Sequence, residues 1–183
     1  MSPPAALVTA DDLLRTPVRH KRTELVRGVL VVREPAGGLH GVVALNLGAE
    51  LAGYVKRTAA GRAFAAETGF QLAASPDTVR APDVAFVRTD RLPQAVPRGF
   101  LSLAPDLVVE VLSPGDRPGE VLAKVADWLS AGTTLVWVVD PERRLARVYR
   151  DDGSETIVTA EGGGALDGED VLPGFSCALE SIL

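Results

Sequence analysis

Glu110 stands inside the apolar run Leu107-Val108-Val109-Glu110-Val111-Leu112. A carboxylate placed there loses its water, and an unpaired buried charge is expensive unless its pKa shifts, an arginine pairs with it or a metal cation arrives. Asp83 follows Pro82 at the mouth of a second apolar segment, Val84-Ala85-Phe86-Val87, from which it can project beside a neighbouring strand. Two carboxylates brought together repel unless a cation lies between them. Mg²⁺ or Mn²⁺ suits such oxygen ligands, and the backbone carbonyl of Val111 could complete the protein's share of the shell. Taken singly, Asp83 also reads as a turn-forming aspartate and Glu110 as half of a structural salt bridge. Lys124 is the third candidate. On a helical wheel it falls just outside the apolar arc of Val121, Leu122, Val125, Trp128 and Leu129, beside Trp128. A lysine on that rim can reach across a sheet edge, although Glu120 and Asp127 at helical spacing offer it ordinary surface ion pairs.

The elements that must position these residues are legible from patterning. Leu107–Leu112 and Leu135–Val139 are continuously apolar, as strands buried on both faces are. Between them a helix is expected from about Arg117 to Ala131, and strand, helix and strand in that order imply a parallel crossover pair. Upstream, Thr9 followed by two aspartates starts a short helix ending near Thr16-Pro17. Glu24–Val26 and Val29–Val32 form a hairpin about Arg27-Gly28. From His40 to Ala59 the apolar positions Val43, Leu47, Leu51, Tyr54 and Val55 recur at helical spacing, and Gly61 is expected to close that helix. Arg62–Ala66, Thr68–Leu72 and Val84–Val87 read as strands, with Pro82 at a strand entrance. Arg88–Ala104, broken by proline and glycine, reads as a loop. Beyond the crossover, Leu145–Tyr149 and Ser154–Val158 flank Asp151-Asp152-Gly153 as a second hairpin. Gly162-Gly163-Gly164 reads as a turn, not a phosphate cradle, since no helix pattern follows and the P-loop lysine is missing. Leu172-Pro173-Gly174-Phe175 is expected to lead into a short C-terminal helix.

Composition bounds the rest. A length of 183 residues suits one domain, with residues 1–10 expected to be flexible. The single cysteine, Cys177, with only His20 and His40, makes a thiolate and imidazole zinc cage improbable, so a metal would be held by oxygen. Neither a leader sequence nor an apolar run of roughly 20 residues is seen, so no membrane span is expected and a reducing cytoplasm is the expected address. The formal charge of −5 argues against a broad basic surface that binds DNA by counterion release. Arginines and lysines do gather at Arg15, Arg19, Lys21, Arg22 and Arg27, at Lys56, Arg57 and Arg62, and at Arg88, Arg91 and Arg98, which leaves room for a local basic groove.

Pro82-Asp83, then Glu110, then a lysine on the following helix resemble the PD-(D/E)XK nuclease superfamily. The surrounding text is more specific: Glu24-Leu25-Val26-Arg27-Gly28, His40-Gly41, Arg80 to Val87, Pro105 to Pro114, Ala131-Gly132, Trp137 to Pro141 and Leu172 to Phe175. Together these resemble the Uma-two family of restriction-type endonucleases, from about Leu13 to the end of the chain. The resemblance implies an α/β fold of the restriction-endonuclease type, a mixed sheet flanked by helices with an N-terminal hairpin and a C-terminal β extension. It also implies a Mg²⁺- or Mn²⁺-dependent endonuclease acting on nucleic acid, DNA in the first instance. Asp83 and Glu110 would then hold the metal, Lys124 would assist the attacking water, and Glu24 and His40 would be auxiliary groups. The superfamily's own lysine position, two residues after the second acid, is Leu112 here, so Lys124 takes that role from the next helix. A homodimer is expected only from the needs of double-strand cleavage. The alternative is a degenerate nuclease shell that grips a nucleic acid or a protein without cutting it.

Overall fold

The computed structural model describes residues 7–16 and 21–183. Most of the expected flexible N-terminal stretch, the Pro17 stop, Arg19 and His20 lie outside the described residues. Thr9 caps α1 (Ala10–Arg15) with a capping box: Thr9 Oγ1 accepts from the Asp12 N–H, and the Asp12 carboxylate accepts from the Thr9 N–H. The Val8 N–H ties this entrance to the Gly28 carbonyl at 2.8 Å.

The hairpin of β1 (Arg22–Val26) and β2 (Val29–Arg33) turns through Arg27 and Gly28, both at positive φ, as a tight two-residue turn requires. α2 (Gly38–Thr58) follows and buries His40, Val43, Leu47, Leu51 and Tyr54. Its end differs from expectation. Ala59, in the left-handed conformation, closes the helix, whereas Gly61 opens β3 (Gly61–Ala65), where a Cβ would lie 2.1 Å from the Val87 carbonyl oxygen. That glycine serves a close strand approach and not a helix cap. β4 (Phe70–Ala73) is followed by β5 (Thr78–Arg80), a three-residue strand that the polar text around it concealed. Then come β6 (Val84–Arg88), β7 (Leu107–Val111), α3 (Pro118–Ser130), β8 (Leu135–Asp140), β9 (Leu145–Arg150) and β10 (Glu155–Thr159). The long connection after β6 is irregular apart from a 3-10 turn at Thr89–Arg91 and a bridge from Leu101 to Phe70. At the C-terminal end a helix was expected directly after Phe175. Instead β11 (Ala165–Asp167) pairs with β12 (Ser176–Ala178), placing buried Leu166 opposite buried Cys177, and only a 3-10 turn at Leu179–Ser181 follows.

The strands form a six-stranded mixed sheet in the order β10-β9-β8-β7-β6-β3, a four-stranded antiparallel sheet in the order β2-β1-β5-β4, and the pair β11-β12. β7 and β8 run parallel, as the crossover through α3 requires, with Glu110 level with Val138. Leu107, Val109 and Val111 of β7 join the core under α2, whereas Val108 joins the core under α3 with Val125 and Trp128. By strand alternation Glu110 shares the α3 face with Val108. α3 presents Val125 and Trp128 to that core, but Leu122, placed in the apolar arc by the wheel, is 53% exposed; the helix seats on the centre of its arc and leaves that edge to solvent. Among the described residues no helix is long and apolar enough to cross a membrane.

Candidate active site

The three-residue link Ala81-Pro82-Asp83 carries the chain from β5 of the small sheet to β6 of the large one, and the candidate residues gather around it. Pro82 has no N–H to leave unpaired at this joint. Its two neighbours are tied on both sides: the Ala81 N–H donates to Glu24 Oε1 at 3.0 Å, and the Asp83 N–H donates to the Val109 carbonyl at 3.1 Å.

Asp83 is 3% exposed and nevertheless well supplied with donors. Its Oδ2 accepts from the Val111 N–H at 2.8 Å and lies 3.0 Å from His40 Nε2, and its Oδ1 accepts from Arg22 at 2.9 Å. Burial raises its pKa, but the hydrogen bonds from His40 and Val111 and the nearby positive charge outweigh burial and hold it below the usual carboxylate range. Glu110, 8% exposed, accepts from Trp128 Nε1 at 2.9 Å on one oxygen and from Lys124 Nζ at 2.8 Å on the other. Here burial wins. Together with repulsion from Asp83 and Glu24 it outweighs the attraction of Lys124, and the carboxyl is pushed up to about 7. Lys124 also lies 3.1 Å from Glu24 Oε1 and donates to the Ala81 carbonyl at 3.2 Å. Burial disfavours its ammonium form, yet Glu110 and Glu24 prevail and raise its pKa. The ordinary surface pairs open to Lys124 do not form: Glu120 meets Arg33 and Arg117, and Asp127 meets Arg80.

Asp83, Glu110, Lys124, Glu24 and His40 therefore line one cleft of about 560 Å³ with Val111. Val111 offers its N–H to Asp83 there. Glu24, buried on β1, is bound by Arg80 at 2.8 Å as well as by Lys124; despite burial, these cations and the Ala81 N–H lower its pKa. Three residues not singled out from the sequence complete the network. Arg22 bridges Asp83 and Glu67, Arg80 bridges Glu24 and Asp127, and Trp128 holds Glu110. Signals for two of them were present. Arg22 lies two residues before Glu24 on one strand face, and a buried tryptophan most often finds an acceptor for its N–H, as Trp128 does and the equally buried Trp137, among the described residues, does not.

Among the described residues no group of three or more His, Cys, Asp and Glu side chains converges as a metal cage. The donor set nonetheless fits an oxygen-seeking divalent ion that keeps several waters, as Mg²⁺ does. Glu110 retains a high proton affinity chiefly through its burial and then through its acidic neighbours Asp83 and Glu24, against the attraction of Lys124; a bound cation would favour its ionised form.

A mixed sheet with a helix on each face places this chain among proteins of the restriction-endonuclease-like fold, and Asp83 and Glu110 line one cleft where β6 and β7 adjoin. A solved structure from Anabaena variabilis, described as a "putative nuclease belonging to DUF820", shares the fold at a TM-score of 0.81; it is 21% identical, with 96% of this chain and 97% of that chain covered. The model of the Uma2 family, described as "Putative restriction endonuclease", matches residues 10–180, and the chain belongs to that family. No curated protein matches the chain.

Proposed function

We propose that the chain is a divalent-metal-dependent endonuclease that hydrolyses phosphodiester bonds of nucleic acid, DNA in the first instance. The observation that carries this reading is the meeting of Glu110 and Lys124 at 2.8 Å beside Asp83, which is fastened to the amide of the residue after Glu110. Membership of a family described by endonuclease activity supports the same class of reaction.

Asp83 and Glu110 would hold Mg²⁺ or Mn²⁺, with the Val111 carbonyl as the main-chain ligand. Such an ion lowers the pKa of water and neutralises charge developing on the phosphate. The protein's part is positioning. Trp128 and Lys124 fix both oxygens of Glu110, and His40, Arg22 and the Val111 N–H fix Asp83, so neither carboxylate has to reorganise during reaction. Lys124, held by Glu110, Glu24 and the Ala81 carbonyl, keeps its proton and supplies a fixed positive charge to orient the attacking water or stabilise the pentacoordinate phosphorus. A pair of chains is required only if both strands of a duplex are cut.

The test is incubation of the pure protein with single- and double-stranded DNA and RNA, with and without Mn²⁺. Cleavage should require the metal. Asp83→Ala and Glu110→Ala should abolish it, and Lys124→Ala should slow it on the order of 100- to 1000-fold, with circular dichroism unchanged. Cutting by all three variants at the parent's rate would remove the assignment. Failure of Mg²⁺ to bind in a calorimeter would favour the degenerate, non-cutting reading.

A further inference from the structure

A second cavity of about 650 Å³ runs between α2 and β3 and borders the candidate active site. Its walls come from Ala44, Gly48, Ala49 and Ala52 of α2 and Ala63 and Ala65 of β3. Phe64 between them turns its ring to the α3 face, edge-to-face against Phe70 at 5.6 Å, so the groove wall on this strand is small side chains. Arg22, His40, Glu67 and Asp83 line both cavities. The two cavities therefore adjoin at these residues, the first lined by the candidate site's charged groups and the second mainly apolar.

We propose that this groove receives an unpaired nucleobase adjacent to the scissile phosphate, so that the substrate is single-stranded or locally unpaired nucleic acid. The proposal rests on the nuclease reading above. A phosphate placed at Asp83 and Glu110 puts the flanking nucleotide at the junction, where Arg22 stands as a cation common to both cavities. Beyond Arg22 the alanine and glycine walls offer nothing to a phosphate and much to the face of a base. A paired base keeps its face in the stack and shows only its edge in a groove, so only an unpaired one can bury itself there. The volume falls within the range of small-molecule sites, roughly 300–1,000 Å³, which suits a base and not a duplex. Charge points the same way. In the catalytic cleft acidic side chains outnumber the cations Arg22, Arg33 and Lys124, and the whole chain carries −5, so a grip on duplex backbone by counterion release is poorly provided for. Burial of a base supplies affinity that does not need a basic surface.

Fluorescence anisotropy in Ca²⁺, in place of Mg²⁺, tests this with labelled oligonucleotides of one sequence. The probes are a single strand, the paired duplex and a single strand with a run of abasic sites, each in deoxy and ribo form. The intact single strand should bind at least about ten-fold tighter than either the duplex or the abasic strand. Ala49→Trp from the helix wall, or Ala65→Trp from the strand wall should one variant fold poorly, should bring single-strand binding down to the duplex level. Equal or tighter binding of the duplex, indifference to missing bases, or unchanged binding by both filled-groove variants would overturn the proposal. So would sedimentation showing that filling the groove splits a dimer, which would assign the groove to a second copy of the chain. Metal-dependent cutting of paired duplex alongside any of these results leaves the nuclease reading standing and removes only the groove's occupant. Neither binding nor cutting of any probe removes both.

Discussion

Glu110 carries the most unusual electrostatics in the chain, because three neighbours and its own burial compete over one proton. Its pKa rises from an ordinary value near 4.5 to about 7. Between those two values the folded chain binds a proton at Glu110 that the unfolded chain does not, so this group's contribution to stability falls as pH rises through the window. Asp83 and Glu24 act in the opposite sense: their lowered pKa values add stability above the ordinary carboxylate range that is lost on acidification. They are common to the parent and Glu110→Gln, and cancel in a comparison of the two. In EDTA, Glu110→Gln should therefore gain stability relative to the parent as pH is raised from about 5 to about 8, by an amount approaching about 3 kcal/mol. Urea denaturation at each pH measures it, and a difference that stays flat across the window means that Glu110 is ionised throughout. The same residue explains what the sequence could disclose at this scale. A lone acid in an apolar strand is conspicuous, and so is an aspartate behind a proline. Arg22 and Arg80 were not conspicuous, because an arginine near a hairpin looks like solubilising charge until its carboxylate partners are brought from 61 and 56 residues away.

At the scale of elements, the site depends on strand register. Glu110 faces α3 because β7 is buried on both sides and alternates, and Asp83 reaches the Val111 N–H because β6 enters the sheet one residue later, with Val84 opposite Val109. Continuous apolar runs and helical spacing made β7, α3 and β8 readable, since long buried elements leave a periodic trace. β5 and the β11-β12 pair left almost none: three residues are too few to show a period, and their pairing is fixed by partners distant in sequence. The meaning of Gly61 was equally hidden, because a close approach to another strand has no local signature. Gly61→Ala should push β3 away from β6 and destabilise the chain by roughly 1–3 kcal/mol. Gly115→Ala is the control, with nothing within 4 Å of its added Cβ, and should change the midpoint of thermal unfolding little. Equal tolerance of both substitutions would mean that β3 does not lie against Val87 as described.

Over the whole molecule, the candidate site is a joint between two sheets and two helices. The small sheet contributes Arg22, Glu24 and Arg80, the link between the sheets contributes Asp83, the large sheet contributes Glu110, α2 brings His40, and α3 brings Lys124, Asp127 and Trp128. Arg80 is the cross-link, since its guanidinium meets Glu24 of β1 at 2.8 Å and Asp127 of α3 at 2.5 Å while only 7% of its side chain is exposed. Burial opposes its charge, but Glu24 and Asp127 overcome that opposition and raise its pKa. Removing it would leave Glu24 leaning on Lys124 alone among cations and Asp127 with its main partner gone. Arg80→Ala should therefore cost on the order of 3–5 kcal/mol, the usual penalty for breaking a buried pair from one side. The triple change Arg80→Met, Glu24→Gln and Asp127→Asn removes the guanidinium and both of its acidic partners together, while Lys124 keeps Glu110, and should recover most of that loss. Urea-induced unfolding separates these outcomes from a simple packing defect, because a packing defect would persist in the triple variant. Full stability of Arg80→Ala would show that the sheets hold together without this ion network, and the geometry of Glu24 and Lys124 would then need another support.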